Sequence, residues 1–519
     1  MILTWLVAIP AGGGLLAWMA GRKHPQGPRW IALGVLAVEL AVALLLTVRY
    51  ADRLWSPTQG LWLTSVKIAW IPSFGINFAL ALDGFSLLLV LLTAVLGIMA
   101  LASAWTEIKE RTGFFYFNLL WVLSGIIGVF LSMDLFLFYS FWEVMLIPMY
   151  LIILLWGNAN RVYAATKFFL FTQISGLLML LAILALYFLH GRATGLYTFD
   201  YRELLGTVLS PGTARWLMLG FLAAFVVKLP AVPVHSWLPD VYTEAPTPGV
   251  LAGLLLEIGA YGLVRFAVPL FPEAAAFFAP AGMALGVVSI LYGALLALGQ
   301  SNLKRLVAYT SVSHMGFVML GVFAWNQLAL QGVVMQIICH GISTGALFML
   351  VGGLQQRLGT LDLKQMGGLW GTMPRMGAVF LLFTMASLGL PGLGNFVAEF
   401  LILLGVYQVS RLWAVLAALG LVAASVYALR MLQASFHGKA VRSWQVPDLS
   451  LRETAAMTGM VVIIVGLGLF PQWVLNTARG PLQALQKPAV VRTQQEEPPR
   501  IVRLISHHLA VSSVEGGRP

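Results

Sequence analysis

The sequence predicts an all-α polytopic membrane protein, and three observations predict it. Hydrophobic residues make up 60% of the 519 and charged residues only 10%, where an ordinary soluble domain carries about 25% charged residues. Apolar runs of about 20 residues, the length that crosses a bilayer, recur along most of the chain, for a mean hydropathy of +0.88. Two of these runs are broken by prolines and glycines close to a charged residue, a pattern tolerated at membrane depth only where backbone lines a protein interior or a water-filled cavity.

About fourteen spans follow from the apolar runs. They lie near 2–20, 29–48, 82–105, 114–132, 134–155, 165–189, 214–238, 247–270, 278–299, 303–323, 329–352, 376–408, 411–433 and 453–471. No basic residue precedes Arg22, so the first run reads as a retained span and not as the basic-fronted segment of a secretory signal. Loops after odd-numbered spans hold fifteen Lys and Arg, against seven in loops after even-numbered spans. The excess places the odd loops in the cytoplasm and both termini on the outer side. The polar tail from about Gln472 is expected to be loosely ordered, with RIVRLISHHLAV as a possible interfacial helix.

The net charge of +11 does not require nucleic acid, because the basic residues collect in short loops. Cys339 is the single cysteine, which excludes a disulfide framework and CxxC metal sites. His507-His508 lacks further ligands, so it is a poor metal site. Gly341-Ile342-Ser343-Thr344-Gly345 fits GxSxG, but it falls inside an apolar helix without a strand-to-helix elbow and reads as close helix packing. No nucleotide, haem, flavin or iron–sulfur signature appears, so no redox chemistry is expected on this chain.

Span seven carries Lys228 and is interrupted by Pro230 and Pro233. Span twelve is interrupted by Pro391, Gly392 and Gly394 and carries Glu399. Proline removes a backbone donor and clashes with the preceding turn, so both spans should break. Five spans separate them, and five separate Glu143 in span five from His314 in span ten. Broken helices at corresponding positions of two halves point to inverted repeats around a site near the midplane.

Six ionisable groups occupy the middles of these spans: Glu143, Lys228, Glu257, His314, His340 and Glu399. At a rise of about 1.5 Å per residue, the first five lie roughly 13–21 Å from the nearest polar end. Each charge at that depth costs roughly 2.5–3.5 kcal/mol on insertion scales, and such groups commonly mark ion or proton paths. Taken singly, each carboxylate or lysine could be a packing ion pair, and each histidine a satisfied core residue. Taken together at one depth they read as a lateral proton relay, with Glu143 expected beside Lys228 so that each holds the other charged.

The runs FWEVMLIPMYLIILLWG, VVKLPAVPVHSWLPDVYTEAPTP, LKRLVAYTSVSHMGFV and LPGLGNFVAEFLIL resemble the antiporter-like subunits of bacterial respiratory complex I, within the wider cation/proton antiporter family. The resemblance covers residues 1–472. It implies three leading helices (1–112), two inverted five-helix repeats (113–272 and 273–435), a last helix (436–475) and a tail (476–519). It also implies a multi-pass place in the cell inner membrane beside sister membrane-arm subunits and lipid. Protons would be the cargo, with NADH, FMN, iron–sulfur clusters and quinone on partner subunits and no cofactor on this chain. Glu143, Lys228, His314, His340 and Glu399 fall on the family's relay positions, Glu399 at the outlet end.

Glu257 departs from that pattern. The family places a lysine where this chain reads LAGLLLEIGAYG, and the stretch before it is about two residues shorter. An acid can still carry a proton; equally, a carboxylate beside Lys228 could trap a Lys–Glu pair and leave a non-conducting structural paralogue. A multi-component cation/proton antiporter or a membrane-bound hydrogenase shares the motifs, and the sequence does not separate H⁺ from Na⁺.

Overall fold

The computed structural model describes residues 1–24, 26–55, 61–247 and 257–495, with side chains described to residue 487. Among the described residues, seventeen principal helices carry the fold. The first are α1 (Ile2–Gly21), α2 (Gly27–Arg49), α3 (Gly84–Glu107), α4 (Thr112–Leu131), α5 (Leu135–Trp156) and α6 (Arg161–Thr194). The broken seventh span is α7 (Pro211–Lys228) followed by α8 (Trp237–Glu244), and α9 covers residues 257–270. Then come α10 (Pro272–Leu298), α11 (Leu303–Ala324), α12 (Gln327–Leu358), α13 (Pro374–Ser387), α14 (Gly394–Val409), α15 (Arg411–His437), α16 (Leu451–Leu469) and α17 (Gln472–Gln495).

Eleven helices among the described residues are long and apolar enough to cross a membrane. The other three expected spans are the two that break and the eighth, part of which lies outside the described residues. Helix starts are set by side chains that satisfy free backbone donors. Asp83 accepts from the Ser86 amide, Asn302 from Arg305 and Asn326 from Ala329, while Ser450 and Glu453 close a capping box. α7 ends at Lys228, two residues before Pro230, as the missing donor requires. α13 ends at Ser387, where Gly389 and Gly392 take positive φ of 78° and 96°.

The bundle has an enclosed centre and a lipid-facing rim. α11 and α12 are 94% buried over their apolar windows, whereas α2 and α16 are 28% and 22% buried. Rim residues such as Trp5, Val48, Trp216, Val415 and Val462 expose large apolar side chains, the surface a hydrocarbon layer accepts. α11 is clasped by α10, α12 and α14, which places His314 at the centre.

Two features differ from the sequence expectation. Residues 64–82 form an antiparallel hairpin, β1 (Thr64–Ile71) and β2 (Ile76–Leu82), paired from Thr64↔Leu82 to Ile71↔Ile76. The chain from Gln472 is not a loose tail: α17 runs to Gln495 and buries Val474, Leu475, Ala478, Leu482 and Leu485 against α3, α9 and α12. That spacing is a helical stripe, which average polarity conceals. RIVRLISHHLAV, with His507 and His508, lies outside the described residues.

Candidate functional site

Four of the six expected groups form a continuous row across α9, α12, α11 and α14. His340 Nδ1 lies 3.3 Å from Glu257 Oε1, and neither side chain has any solvent exposure. His314 Nδ1 lies 3.1 Å from Glu399 Oε1, and its Nε2 lies 3.1 Å from Ser387 Oγ. The two imidazoles stand 6.1 Å apart between ring centroids, tilted by 54°. The row therefore reads Glu257, His340, His314, Glu399, with two direct contacts and a gap between the two imidazoles.

Backbone choices make these contacts possible. A Cβ at Gly341 already sits 3.3 Å from Glu257 Oε1, so a larger residue there would push the carboxyl away from His340. Gly389 is required twice over: its φ of 78° is left-handed, and a Cβ would stand 2.8 Å from Glu399 Oε2. The break between α13 and α14 thus brings Ser387 and Glu399 to opposite edges of the His314 ring. Ser343, from the GxSxG match, accepts a bond from Asn395 Nδ2 at 3.2 Å inside α12, the packing role expected of it.

The other two groups stand differently. Lys228 Nζ is fully buried and finds no hydrogen-bond partner; it rests 5.4 Å from the Trp142 ring centre and 5.2 Å from that of Phe168. Glu143 is half-buried beside Gly176 of α6, where a Cβ would meet Oε1 at 2.9 Å. The expected close Glu143–Lys228 pair is absent: no nitrogen–oxygen approach within 4.0 Å joins them, although Glu143 is near enough to act on the ammonium through space. The reason is helical geometry. Trp142 and Glu143 are successive residues of α5, about 100° apart around the axis, so turning Trp142 onto Lys228 turns Glu143 toward α6.

A trapped Lys228–Glu257 pair is not formed either. α9 does touch the lysine, since a Cβ at Gly259 would lie 3.1 Å from Lys228 Cβ. Its Glu257, half a turn earlier, points to His340 instead. Among the described residues, no three His, Cys, Asp or Glu side chains converge as a metal set.

Residues 132–425 match the family model described as NADH:quinone oxidoreductase/Mrp antiporter, TM. NADH-quinone oxidoreductase subunit M of Pseudomonas aeruginosa is 51% identical over 498 residues, covering 94% of this chain and 98% of its own. The Escherichia coli K12 subunit M is 50% identical over 499 residues with the same coverage. The chain belongs to the NADH:quinone oxidoreductase subunit M family. A solved structure of respiratory complex I from Thermus thermophilus with bound NADH contains a chain that superposes with a TM-score of 0.85 at 31% identity, covering 94% of this chain and 99% of that one. The Mrp complex from a Dietzia species shares the fold, with a TM-score of 0.79 at 22% identity, covering 94% and 97%.

All six groups of this subunit M family member fall inside the matched segment. Several buried polar residues outside the expected set deserve equal notice. Asp240 on α8 accepts from Lys167 and Arg305 at 2.8 Å each, tying α8 to α6 and α11. Lys304 is buried and donates to the Ala245 carbonyl at 3.2 Å. Gln336, one turn before His340, has both amide atoms buried without protein partners, as do both carboxyl oxygens of Glu39 in α2. A polar residue within an apolar run was the available signal for Glu39 and Gln336. Asp83 and Arg265 form a fully buried ion pair between α3 and α9, and neither belongs to the row.

Proposed function

We propose that this chain translocates protons in the membrane arm of an NADH:quinone oxidoreductase, along Glu143, Lys228, Glu257, His340, His314 and Glu399. The observation that carries the reading is the pair of buried carboxyl–imidazole contacts, Glu257–His340 and His314–Glu399, joined across 6.1 Å. A proton on the Glu257 carboxyl passes to His340 Nδ1. His340 then releases the proton on its Nε2 toward His314, which takes it on the Nε2 edge shared with Ser387 and gives the proton on Nδ1 to Glu399; each imidazole is left as its other tautomer and must exchange tautomers before the next proton passes. Imidazole suits the interior of such a row because its unperturbed pKa is near 6.5. Ser387 fixes the His314 ring by holding its Nε2 edge, as an outer partner fixes a histidine elsewhere.

At the other end Lys228 supplies the charge that the row responds to. The rings of Trp142 and Phe168 support an ammonium by cation–π attraction without taking its proton. Glu143 completes this end through space. The imidazoles favour H⁺ over Na⁺ as cargo, since a protonated ring carries a proton and excludes a metal ion. The contact of Glu257 with His340 favours a conducting subunit over a spacer.

The subunit M relationship favours complex I over a multi-component antiporter. NADH, FMN, iron–sulfur clusters and quinone then belong to partner subunits, with this chain beside sister antiporter-like subunits in the inner membrane and both termini outside. The broken pairs α7/α8 and α13/α14 support two inverted five-helix repeats.

The test is proton translocation per electron by the assembled complex in proteoliposomes, with Glu257→Gln and Lys228→Ala. Both should lower the ratio. Undiminished pumping in Lys228→Ala would remove the relay.

A further inference from the structure

Glu257, Tyr261 and Arg265 recur every four residues on α9 and so share one face, each about 6 Å further along the axis. The face leads from the row toward the hairpin end of the bundle. Tyr261 donates to the Phe130 carbonyl at 2.9 Å, and its hydroxyl lies 3.4 Å from Ser86 Oγ. Arg265 pairs with Asp83, the residue that starts α3, and both side chains are wholly buried. Its guanidinium is ringed by Trp62, Phe85 and Tyr261 at 5.3, 5.7 and 5.6 Å. At Arg265 the helix widens into a π-turn, Leu263–Ala267, a form common at functional positions. α17 closes the outside, since a Cβ on Gly84 would strike the Thr477 carbonyl.

We propose that Asp83 and Arg265 form a proton seal at the hairpin end of α9, which keeps the charge carried by Glu257 moving sideways to His340. The inference rests on the relay reading of Glu257. A guanidinium cannot be deprotonated in a protein, so it cannot pass a proton by giving up its own. Asp83 holds the guanidinium in place, and the rings of Trp62, Phe85 and Tyr261 pack around it. Among the described residues, Arg265 Nε and Nη1 meet no acceptor within hydrogen-bond distance, so Asp83 is the one carboxylate that holds the guanidinium there.

The experiment is passive proton conductance of proteoliposomes holding the intact complex, measured without NADH under an imposed potential, alongside pumping per electron. Arg265→Gln should raise passive conductance at least threefold while quinone reduction proceeds. Adding Glu257→Gln to it should return the conductance to the unsubstituted level, because the leak starts at Glu257. Arg265→Lys keeps an ion pair with Asp83 but places there a group that can give up its proton, and it should also leak. If Arg265→Gln does not assemble, this variant decides the matter. A tight membrane with Arg265→Lys would overturn the seal, as would a leak that persists after Glu257→Gln. The relay itself is judged separately, by the pumping ratio of Glu257→Gln alone.

Discussion

The two ends of the proposed relay are built on opposite plans. From Glu257 to Glu399 the groups touch, carboxyl to imidazole, at 3.1 and 3.3 Å. Around Lys228 no described polar group comes within hydrogen-bond distance: the ammonium sits among rings, and Glu143 is turned toward another helix. A contact row transmits a proton through fixed geometry. A caged cation transmits by changing its own charge state, and so responds to a distant field. In the proposed relay, this difference would make Lys228 the control point and the contact row the conducting segment.

The sharpest way to break this comparison is to remove one group from each plan. Lys228→Ala deletes the caged cation, and the proton-transfer step of this subunit should fall about 100-fold, the scale of losing one acid–base group. Ser387→Ala leaves the His314–Glu399 contact in place and removes one hydrogen bond of about 1 kcal/mol, a loss near fivefold. Single-turnover proton release from oriented proteoliposomes reads both. Equal losses would mean that the two ends do not differ in kind.

The aromatic cage gives a finer test. Trp142→Leu keeps the volume apolar but forfeits a cation–π contribution of about 1–2 kcal/mol at a desolvated ammonium, so the same step should slow roughly tenfold. Trp142→Phe should recover most of that loss. If leucine and phenylalanine behave alike, the ring is only filler, and Glu143 must hold the lysine unaided.

What the sequence disclosed follows the same division. Each of the six groups was visible because a charge inside an apolar run is costly wherever its partner lies. The breaks after Lys228 and Ser387 were visible because proline and glycine act locally. Partners were not visible. Trp142 and Glu143 are neighbours in sequence, and only the rotation of α5 decides which one faces Lys228. The Asp83–Arg265 pair joins residues 182 positions apart, beyond the reach of any periodicity. The hairpin is short, partly exposed and joined through Pro72-Ser73-Phe74-Gly75, so a reading tuned to 20-residue apolar runs passes over it. α17 was hidden in turn by the polar residues between its buried ones.

The smallest expected effect concerns what holds the Lys228 end at the hairpin side. Lys67 of β1 reaches Asp200 at 2.9 Å, Arg202 meets the same carboxyl at 2.8 Å, and the flanking backbone joins Leu135 to Phe199 and Tyr201 to Met133. Burial pushes the Asp200 carboxyl up, but the bonds from Arg202 and Lys67 outweigh it and hold the group below the usual aspartate range. A carboxyl whose folded pKa lies below its unfolded value near 3.9 adds stability above that pH and loses it as pH falls through the folded value. Asp200→Asn should therefore cost about 1 kcal/mol at neutral pH, a figure kept low because both cations are partly exposed. The difference from the unsubstituted protein should shrink below about pH 4, where the unfolded carboxyl takes up a proton that the folded one still refuses. Hydrogen exchange locates the effect: faster exchange at Leu135 and Tyr201, with the amides around His314 and His340 unchanged, is the outcome that keeps the two ends mechanically separate. Loosening that spreads to α11 and α12 would show the hairpin lock to be holding the contact row as well as the cage.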